Sequence, residues 1–475
     1  MSQDDDPLIS IITVNWNGKK YLDELFNSLA DLNYPAKKLQ MIMVDNNSTD
    51  GSIAFVEKKF PNVEIIPLKE NMGYAGGNNE GLHRARGKYI ALINNDCIVD
   101  PDWLCEMLSI FKNSSDDAKI GAVGSKVVFY WPYIPVQIIS GSRSSTGKNR
   151  SRKDLRRLGV RISEARVASS GCDKNSQAVD NGWRIDEIKY TDGFYPPETD
   201  VKGRIFQWTQ GDAVMAVPVF NSRKSTVLEF KVSSDISPNK LKIVIGEEIM
   251  DEIKIGKRVK KIKLTIPVGA YDCCRDIINS CGVKINRSFY SRDRGYMSFD
   301  AGQYNRVEEI FALSGSSFMM DRKMLEDTGY FDSYFFTYYE DIDLFWRARI
   351  KGWKHFFTPN ALVRHHHCGS GQEWSYSFTY HVLLNRLLMI YKCGWLSVFL
   401  RSQASFTVAK AIHTIFYLGL LIRGRKIRRI DIGIRFKIFF KLFYLLPAFM
   451  GKRIKIRSGK KISDIQIKEW FRDFK

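Results

Sequence analysis

The sequence predicts an α/β protein with a largely parallel sheet, interrupted by an inserted all-β segment and ending in a basic, amphipathic helical region. Three observations predict it. Short β-rich runs alternate with helical periodicity over residues 8–111. Period-2 alternation occupies about residues 201–268. Positive charge is concentrated near the C-terminal end.

The α/β part reads in order. Residues 8–14 form a β-rich run, broken at Asn15–Gly18. Tyr21, Leu22, Leu25, Phe26, Leu29 and Leu32 then recur at helical spacing. Gln40–Val44 reads as a second strand, followed by the polar stretch Asp45–Gly51, which suits the cap of a helix starting near Ser52. Val63–Pro67 and Tyr89–Ile93 read as further strands. Asp100 reads as an N-cap with Pro101 at the first helical position, before the apolar face of Leu104, Met107, Leu108 and Phe111. In the insert, Leu228, Phe230 and Val232, then Ile262, Leu264 and Ile266, alternate with polar residues, the pattern of a β-sandwich. Its aromatics Trp183, Tyr195 and Trp208 read as core first and as sugar-stacking surfaces second. The α/β reading resumes near 308, with Glu340–Lys351 helical and Gly352 just past its end.

The 475 residues carry 72 Lys+Arg against 52 Asp+Glu, a net charge of +20. From His381 onward there are 21 Lys+Arg and 4 Asp+Glu, so +17 belongs to the tail and about +3 to the rest. A nearly neutral body excludes a protein that wraps nucleic acid, and no nucleic-acid motif is present. Cations interleaved with Trp395, Phe399, Phe416, Phe436, Phe439, Phe440 and Phe443 suit an anionic membrane surface. A spanning helix needs about 20 predominantly apolar residues. Ala411–Ile422 is shorter, and Ile430–Met450 contains Asp431, Arg435, Lys437 and Lys441. The eight cysteines form no CxxC pair and the acidic start resembles no signal peptide, so a reducing cytosolic setting is expected.

The polar clusters Asn15–Asn17, Asp45–Asp50, Asn94–Asp96 and Glu340–Asp343 fall after strands or at a helix start. Open α/β sheets bind ligands outside the carboxyl ends of their strands, so these clusters mark one expected cleft. The glycine-rich stretch Asn71–Asn79 joins them, its glycines expected to let backbone approach a ligand. At a helix start, acids also complement the helix dipole, and Asp45 and Asp50 also suit turns.

Together these residues resemble the family-2 glycosyltransferases, inverting enzymes of the GT-A fold. The resemblance rests on Ile11-Ile-Thr-Val-Asn-Trp-Asn-Gly18, Val44-Asp-Asn-Asn-Ser-Thr-Asp-Gly-Ser52 and Asn71-Met-Gly-Tyr-Ala-Gly-Gly-Asn78. It rests further on Asn94-Asn-Asp96 at the family's DxD position, and on Gly329-Tyr-Phe-Asp332 followed by Tyr339-Glu-Asp-Ile-Asp343 and Arg347. It covers about 8–125 and 275–395, and the glycine stretch is most similar to the rhamnosyl- and galactofuranosyl-transferase branch. Asn94 stands where many members have Asp, and the QxxRW motif of processive synthases is missing, which implies transfer of a single sugar.

The resemblance implies the following roles. Asp45 would hydrogen-bond the nucleobase, with Asn15, Asn17, Asn47, Asn71, Gly73, Gly76, Gly77, Asn78 and Asn95 holding the rest of the nucleotide-sugar. Asp96 would bind a divalent cation, Mn²⁺ or Mg²⁺, with His365 as second ligand and His366 or His367 as alternatives. Asp341 would be the general base, with Asp343 next and Glu340 beside them. The expected domains are 1–140 with 275–380, of the GT-A type, an inserted sandwich over 141–274, and a membrane-associating tail over 381–475. The expected function is metal-dependent inverting transfer to a glycan or lipid-linked acceptor in surface-polysaccharide assembly. The donor would be dTDP-rhamnose or a UDP-sugar, and the place the cytoplasmic, inner face of the cell membrane. The rival is a non-catalytic carbohydrate- or membrane-binding protein on a decayed transferase scaffold.

Overall fold

The computed structural model describes residues 6–115, 118–144, 156–169, 187–200, 203–367, 375–405 and 430–473. Ala411–Ile422, Trp183 and Phe416 lie outside the described residues. The chain divides into one compact unit of 1–128, 279–296 and 304–475, and a second of 129–278 and 297–303.

The first unit contains a ten-stranded mixed sheet. Its strands are β1 (Ile9–Asn15), β2 (Leu39–Asp45), β3 (Val63–Pro67), β4 (Tyr89–Ile93), β5 (Cys97–Val99), β6 (Ile120–Phe129), β7 (Ile278–Ser280), β8 (Glu308–Glu309), β9 (Ser317–Asp321) and β10 (Lys354–His365). The spatial order is β8-β10-β6-β9-β4-β1-β2-β3, with β7 on β6 and β5 on β10. β1 pairs in parallel with β2 and β4, and β2 with β3, while β9 runs antiparallel to β4 and β6. The helices are α1 (Lys19–Ala30), α2 (Ser52–Lys59), α3 (Gly73–Arg84), α4 (Trp103–Lys112), α5 (Arg322–Thr328), α6 (Glu340–Ile350), α7 (Tyr376–Cys393), α8 (Ile430–Ser458) and α9 (Asp464–Lys468).

β1 is buried at nearly every position, Ser10 and Thr13 included, because it is covered on both faces. Ile9 and Ile11 share a core with Leu22, Leu25 and Phe26 of α1 and Trp103 and Met107 of α4. Ile12 and Val14 meet α3, whose glycines let the helix lie close: a Cβ on Gly77 would sit 2.8 Å from Val14, and one on Gly81 2.5 Å from Ile12. This corrects the reading of Asn71–Asn79 as a loop that approaches ligand through glycine. From Gly73 it is a helix, and its glycines serve helix-on-sheet packing. The start of α4 is also corrected. Asp102 is its N-cap, and Asp100 and Pro101 lie in the preceding turn, where Trp103 N–H donates to the Asp100 carbonyl (3.0 Å).

The region from His381 was expected to be a separate tail. Instead α7 runs through that boundary, and Leu384–Cys393 are buried in the first unit. α8 packs along α7.

The second unit holds two five-stranded antiparallel sheets. Leu228, Phe230, Val232, Ile262, Leu264 and Ile266 from one sheet share a core with Ile134, Val136, Ile138, Leu241 and Ile243 from the other, as the period-2 pattern requires. Tyr133–Ser140 is the central strand of its sheet, so residues 130–140 belong to this unit and not to the α/β part where 1–140 was expected. Trp208 is buried; Tyr195 lines a cavity with Arg156, Arg157 and Gln210.

Candidate active site

The carboxyl ends of β1, β2 and β4 lie side by side and carry three of the polar clusters. Asn15 ends β1 and donates from Nδ2 to Asp45 Oδ1 (3.0 Å) at the end of β2, and accepts from Asn95 Nδ2 (2.8 Å) just past β4. Asp45 also takes the Ser48 N–H on Oδ2 (2.8 Å). The Ser48 hydroxyl receives the Asn17 N–H (2.9 Å), and Asn17 Oδ1 receives the Thr49 N–H (2.8 Å). Asn17 and Asn47 sit at positive φ (52° and 62°), a region that Asn tolerates better than most residues. Asp45 is 1% exposed, so its first task is to tie the loops after β1 and β2 together. Asn47 faces solvent.

The expected glycine-loop residues divide. Asn46 clamps the start of α3, donating to the Gly73 carbonyl (2.9 Å) and accepting the Met72 N–H (3.2 Å). Asn71 caps the Gly73 N–H (2.8 Å). Asn78 is buried and donates back to the Tyr74 carbonyl within the helix, and a Cβ on Gly76 would strike Met72. Gly73, Gly76, Gly77 and Asn78 therefore support the site from behind. Asn79 and Phe331 exchange two bonds (2.9 and 3.1 Å), so α3 joins the loop after β2 to the Gly329–Asp332 motif.

Asp96 and His365 lie side by side in the structure. β5 pairs antiparallel with the end of β10, setting His365 opposite Cys97. His365 Nε2 lies 3.0 Å from Asp96 Oδ1, and its Nδ1 lies 3.0 Å from Asn279 Oδ1. A carboxamide oxygen only accepts, so Nδ1 is the donor toward Asn279, which leaves Nε2, beside the Asp96 carboxylate, as the ring atom that would ligate a cation. Two acceptors facing at that separation fit a shared cation: ligands about 2.1 Å from an octahedral ion, at right angles to each other, stand about 3 Å apart. Asn279 is the outer partner that orients such a histidine. Cys97 is adjacent to both. Burial and then the Asp96 charge push its thiol up, so it stays protonated and is a poor partner for a hard cation. Of the other histidines, His366 turns its ring to Glu24 (3.0 Å), while the His367 ring lies edge-on to that of His365 (centroids 5.6 Å) and close to Tyr296.

The acidic cluster at the start of α6 separates into three roles. Asp341 accepts the Gly315 N–H on Oδ2 (2.9 Å) and the Ile342 N–H on Oδ1 (2.7 Å). Burial pushes its pKa up to about 7, and the Asp293 carboxylate adds to the rise against those two N–H groups. Glu340 is buried, and burial together with Asp341 and Asp343 pushes its carboxyl well above the usual range. Asp343 is fully buried and bound by Arg347 (2.8 Å) and Lys392 (2.7 Å), which removes it as a base: an acid locked in ion pairs has no path to an acceptor hydroxyl. Lys392 and Lys452 also grip Asp332 (2.7 and 2.6 Å). The Asp341 side reaches the Asp96 side through a short path. The Asn94 N–H donates to the Ser316 carbonyl (3.0 Å), and Gly315 next to it holds Asp341 and accepts from the Tyr74 hydroxyl (2.5 Å).

Sequence reasoning missed Asn46, Tyr74, Asn279 and Asn385. Phe336, Tyr338 and Tyr339 all have positive φ just before Asp341, and strain of this kind persists only where surroundings enforce it. Asn385 of α7 enforces it, donating from Nδ2 to the carbonyls of Phe335, Thr337 and Tyr338 (2.8–2.9 Å). Replacing Asn385 by Asp would set a carboxylate against three carbonyls. The expected result is a loss of turnover of about tenfold or more and a stability loss of about 1–3 kcal/mol, read by kinetics and thermal melting. Unchanged turnover would show that the turn holds itself.

Residues 10–168, about a third of the chain, match the family described as Glycosyl transferase family 2. A teichuronic acid biosynthesis glycosyltransferase, TuaG, of Bacillus subtilis is 36% identical over 93 residues, 19% of this chain and 36% of the relative. Glycosyltransferase AglE of Haloferax volcanii is 26% identical over 129 residues, 26% of this chain and 41% of the relative. The poly(ribitol-phosphate) β-N-acetylglucosaminyltransferase TarS of Staphylococcus aureus is 29% identical over 111 residues, 23% of this chain and 19% of the relative. The chain thus spans between about a fifth and two fifths of the length of these relatives. The chain contains a region of glycosyltransferase family 2 type, matched over residues 10–168.

Proposed function

We propose that this chain is a metal-dependent inverting glycosyltransferase that moves one sugar from a nucleotide-sugar to a glycan or lipid-linked acceptor in surface-polysaccharide assembly. The observation that carries the reading is the junction of Asp96 and His365, paired and oriented by Asn279, with Asp341, whose carboxyl is poised near neutral pH. Asp341 takes the proton from the acceptor hydroxyl as that oxygen attacks the anomeric carbon from the face opposite the leaving diphosphate. One base suffices, and the carbon inverts. Asp96 and His365 would hold a divalent cation, Mn²⁺ or Mg²⁺, which neutralises the charge gathering on the diphosphate when bound. Asn15, Asn17, Asp45, Asn47 and Asn95 shape the loops against which the nucleotide rests.

The base and both proposed metal ligands fall within the first unit. Residues 141–274 are accordingly read as an inserted β-sandwich domain that serves acceptor choice and not the chemistry. Among the described residues no helix is long and apolar enough to cross a membrane. The basic tail is read as a peripheral contact with the inner face of the cell membrane.

A donor screen tests the reading. dTDP-rhamnose, UDP-hexoses and UDP-galactofuranose are each incubated with the protein and Mn²⁺ or Mg²⁺, and released nucleoside diphosphate is measured. One donor is expected to turn over. If donors bind and none turns over with any acceptor extract, the decayed-scaffold reading, which Asn94 in place of Asp favours, takes its place.

A further inference from the structure

The helix α8 has two apolar faces. Ile434, Ile438, Leu442, Leu445 and Phe449 are buried. On the other side Phe436, Phe440, Phe443, Tyr444, Met450 and Ile454 are between 40% and 77% exposed. At 3.6 residues per turn these six fall within an arc of about 120°, a stripe about 27 Å long. Exposed aromatic side chains so aligned mark an interaction surface. Lys437, Lys441 and Lys455, all exposed, border one side of the stripe. Lys437 lies over the ring of Tyr380 (5.1 Å) and Lys441 over that of Tyr444 (5.2 Å).

We propose that this stripe is the surface by which the chain lies on an anionic lipid bilayer, with α8 parallel to the membrane plane and its aromatic side chains set among the headgroups. The proposal rests on the transferase reading only for the identity of the acceptor, which it narrows to a lipid-linked one. Charge selects the occupant. Residues 430–458 hold seven Lys+Arg and one Asp, so a second copy would bring like charge against like, whereas anionic headgroups complement it. A long apolar stripe bordered by lysines is also the pattern of helices that lie in the interface instead of crossing it.

The same helix holds the acceptor side of the site. Lys452 binds Asp332 of the Gly329–Asp332 motif (2.6 Å), and Arg453 donates to the Gly394 carbonyl at the end of α7 (2.8 Å). α7 in turn supplies Asn385 and Lys392 to the turn before Asp341 and to Asp332. Lipid contact on one face of α8 therefore sets the height of the acceptor motif above the bilayer through the other.

The test uses the full chain and vesicles of phosphatidylcholine, with and without phosphatidylglycerol, in a flotation assay. Phe440→Ser, Phe443→Ser and Tyr444→Ser combined are expected to lower partition at least about tenfold. Lys437→Glu with Lys441→Glu is expected to lower it more than about tenfold on anionic vesicles alone, an effect that high salt removes. Donor turnover with a soluble acceptor should stay at the parent level in both variants, which also shows that they fold. The proposal is overturned if the triple variant floats like the parent, if the parent ignores anionic vesicles, or if the parent is a dimer that the triple variant converts to a monomer. A parent that floats but turns over no donor would sink the transferase reading and leave the lipid surface standing.

Discussion

Asp341→Asn is expected to lower sugar transfer by ~10²–10⁴-fold while the dissociation constant for the donor stays within about twofold. The amide keeps the shape and its oxygen still accepts one of the two backbone N–H groups, with its NH2 turned to the other, but it cannot take a proton from an acceptor hydroxyl. Single-turnover transfer and equilibrium donor binding, measured on the same preparation, separate the two effects. Near-parental turnover would remove Asp341 as the base. The parent should also show a kcat/KM that rises with pH and levels off above about 7, because burial pushes the Asp341 carboxyl up to about 7 and only its ionised form acts as a base. The linkage to stability runs the other way. Between the unfolded carboxyl's value near 4 and the folded value near 7, the folded protein holds a proton that the unfolded chain has released. Stability therefore falls as pH rises through that window. Removing the carboxylate should raise stability at pH 8 by on the order of 1 kcal/mol, so the inactive variant should melt above its parent.

Chelation is expected to abolish activity, and Mn²⁺ or Mg²⁺ to restore it. Asp96→Ala should remove the effect of metal on donor affinity altogether. His365→Ala should give a milder defect, and Asn279→Ala should weaken metal affinity about 10–100-fold by freeing the imidazole to turn. Titration of metal binding by calorimetry checks the series without reference to turnover. Full activity in the presence of EDTA would sink the metal assignment and make Asn94 a mark of a metal-free site.

How legible the site was depended on whether a residue's role is local. The strands before Asn15, Asp45 and Asn94 announce themselves as β-branched or aliphatic runs that stop at polar residues, and the structure puts those stops side by side. The α6 acids could be found but not sorted. Only burial and the distant partners Lys392 and Gly315 distinguish Asp343, locked in ion pairs, from Asp341, held by backbone N–H groups. Asn279 and Asn385 gave no local signal, because each acts on a segment 47 or more residues away in the chain. The α3 helix was hidden by its own glycines, which depress helix propensity where contact with Val14 and Ile12 demands them. The tail boundary failed for a related reason: the same amphipathic pattern serves a helix half buried in a core and a helix bound to lipid.

The packing of α3 bears on how, under the proposed function, such a scaffold could change its substrates. Gly77 and Gly81 are fixed by the sheet behind them, and Asn46 fastens the start of the helix and Asn79 its middle to two different loops. Side-chain novelty has no room there, and a shift of the helix would displace the pockets for both substrates together. Variation that retunes one pocket alone has to enter elsewhere. The exposed tip around Asn47 is such a place, within the choice of residues that its positive φ (62°) allows. Descendants of this chain would then diversify at the rim of the cleft while its spine stays frozen.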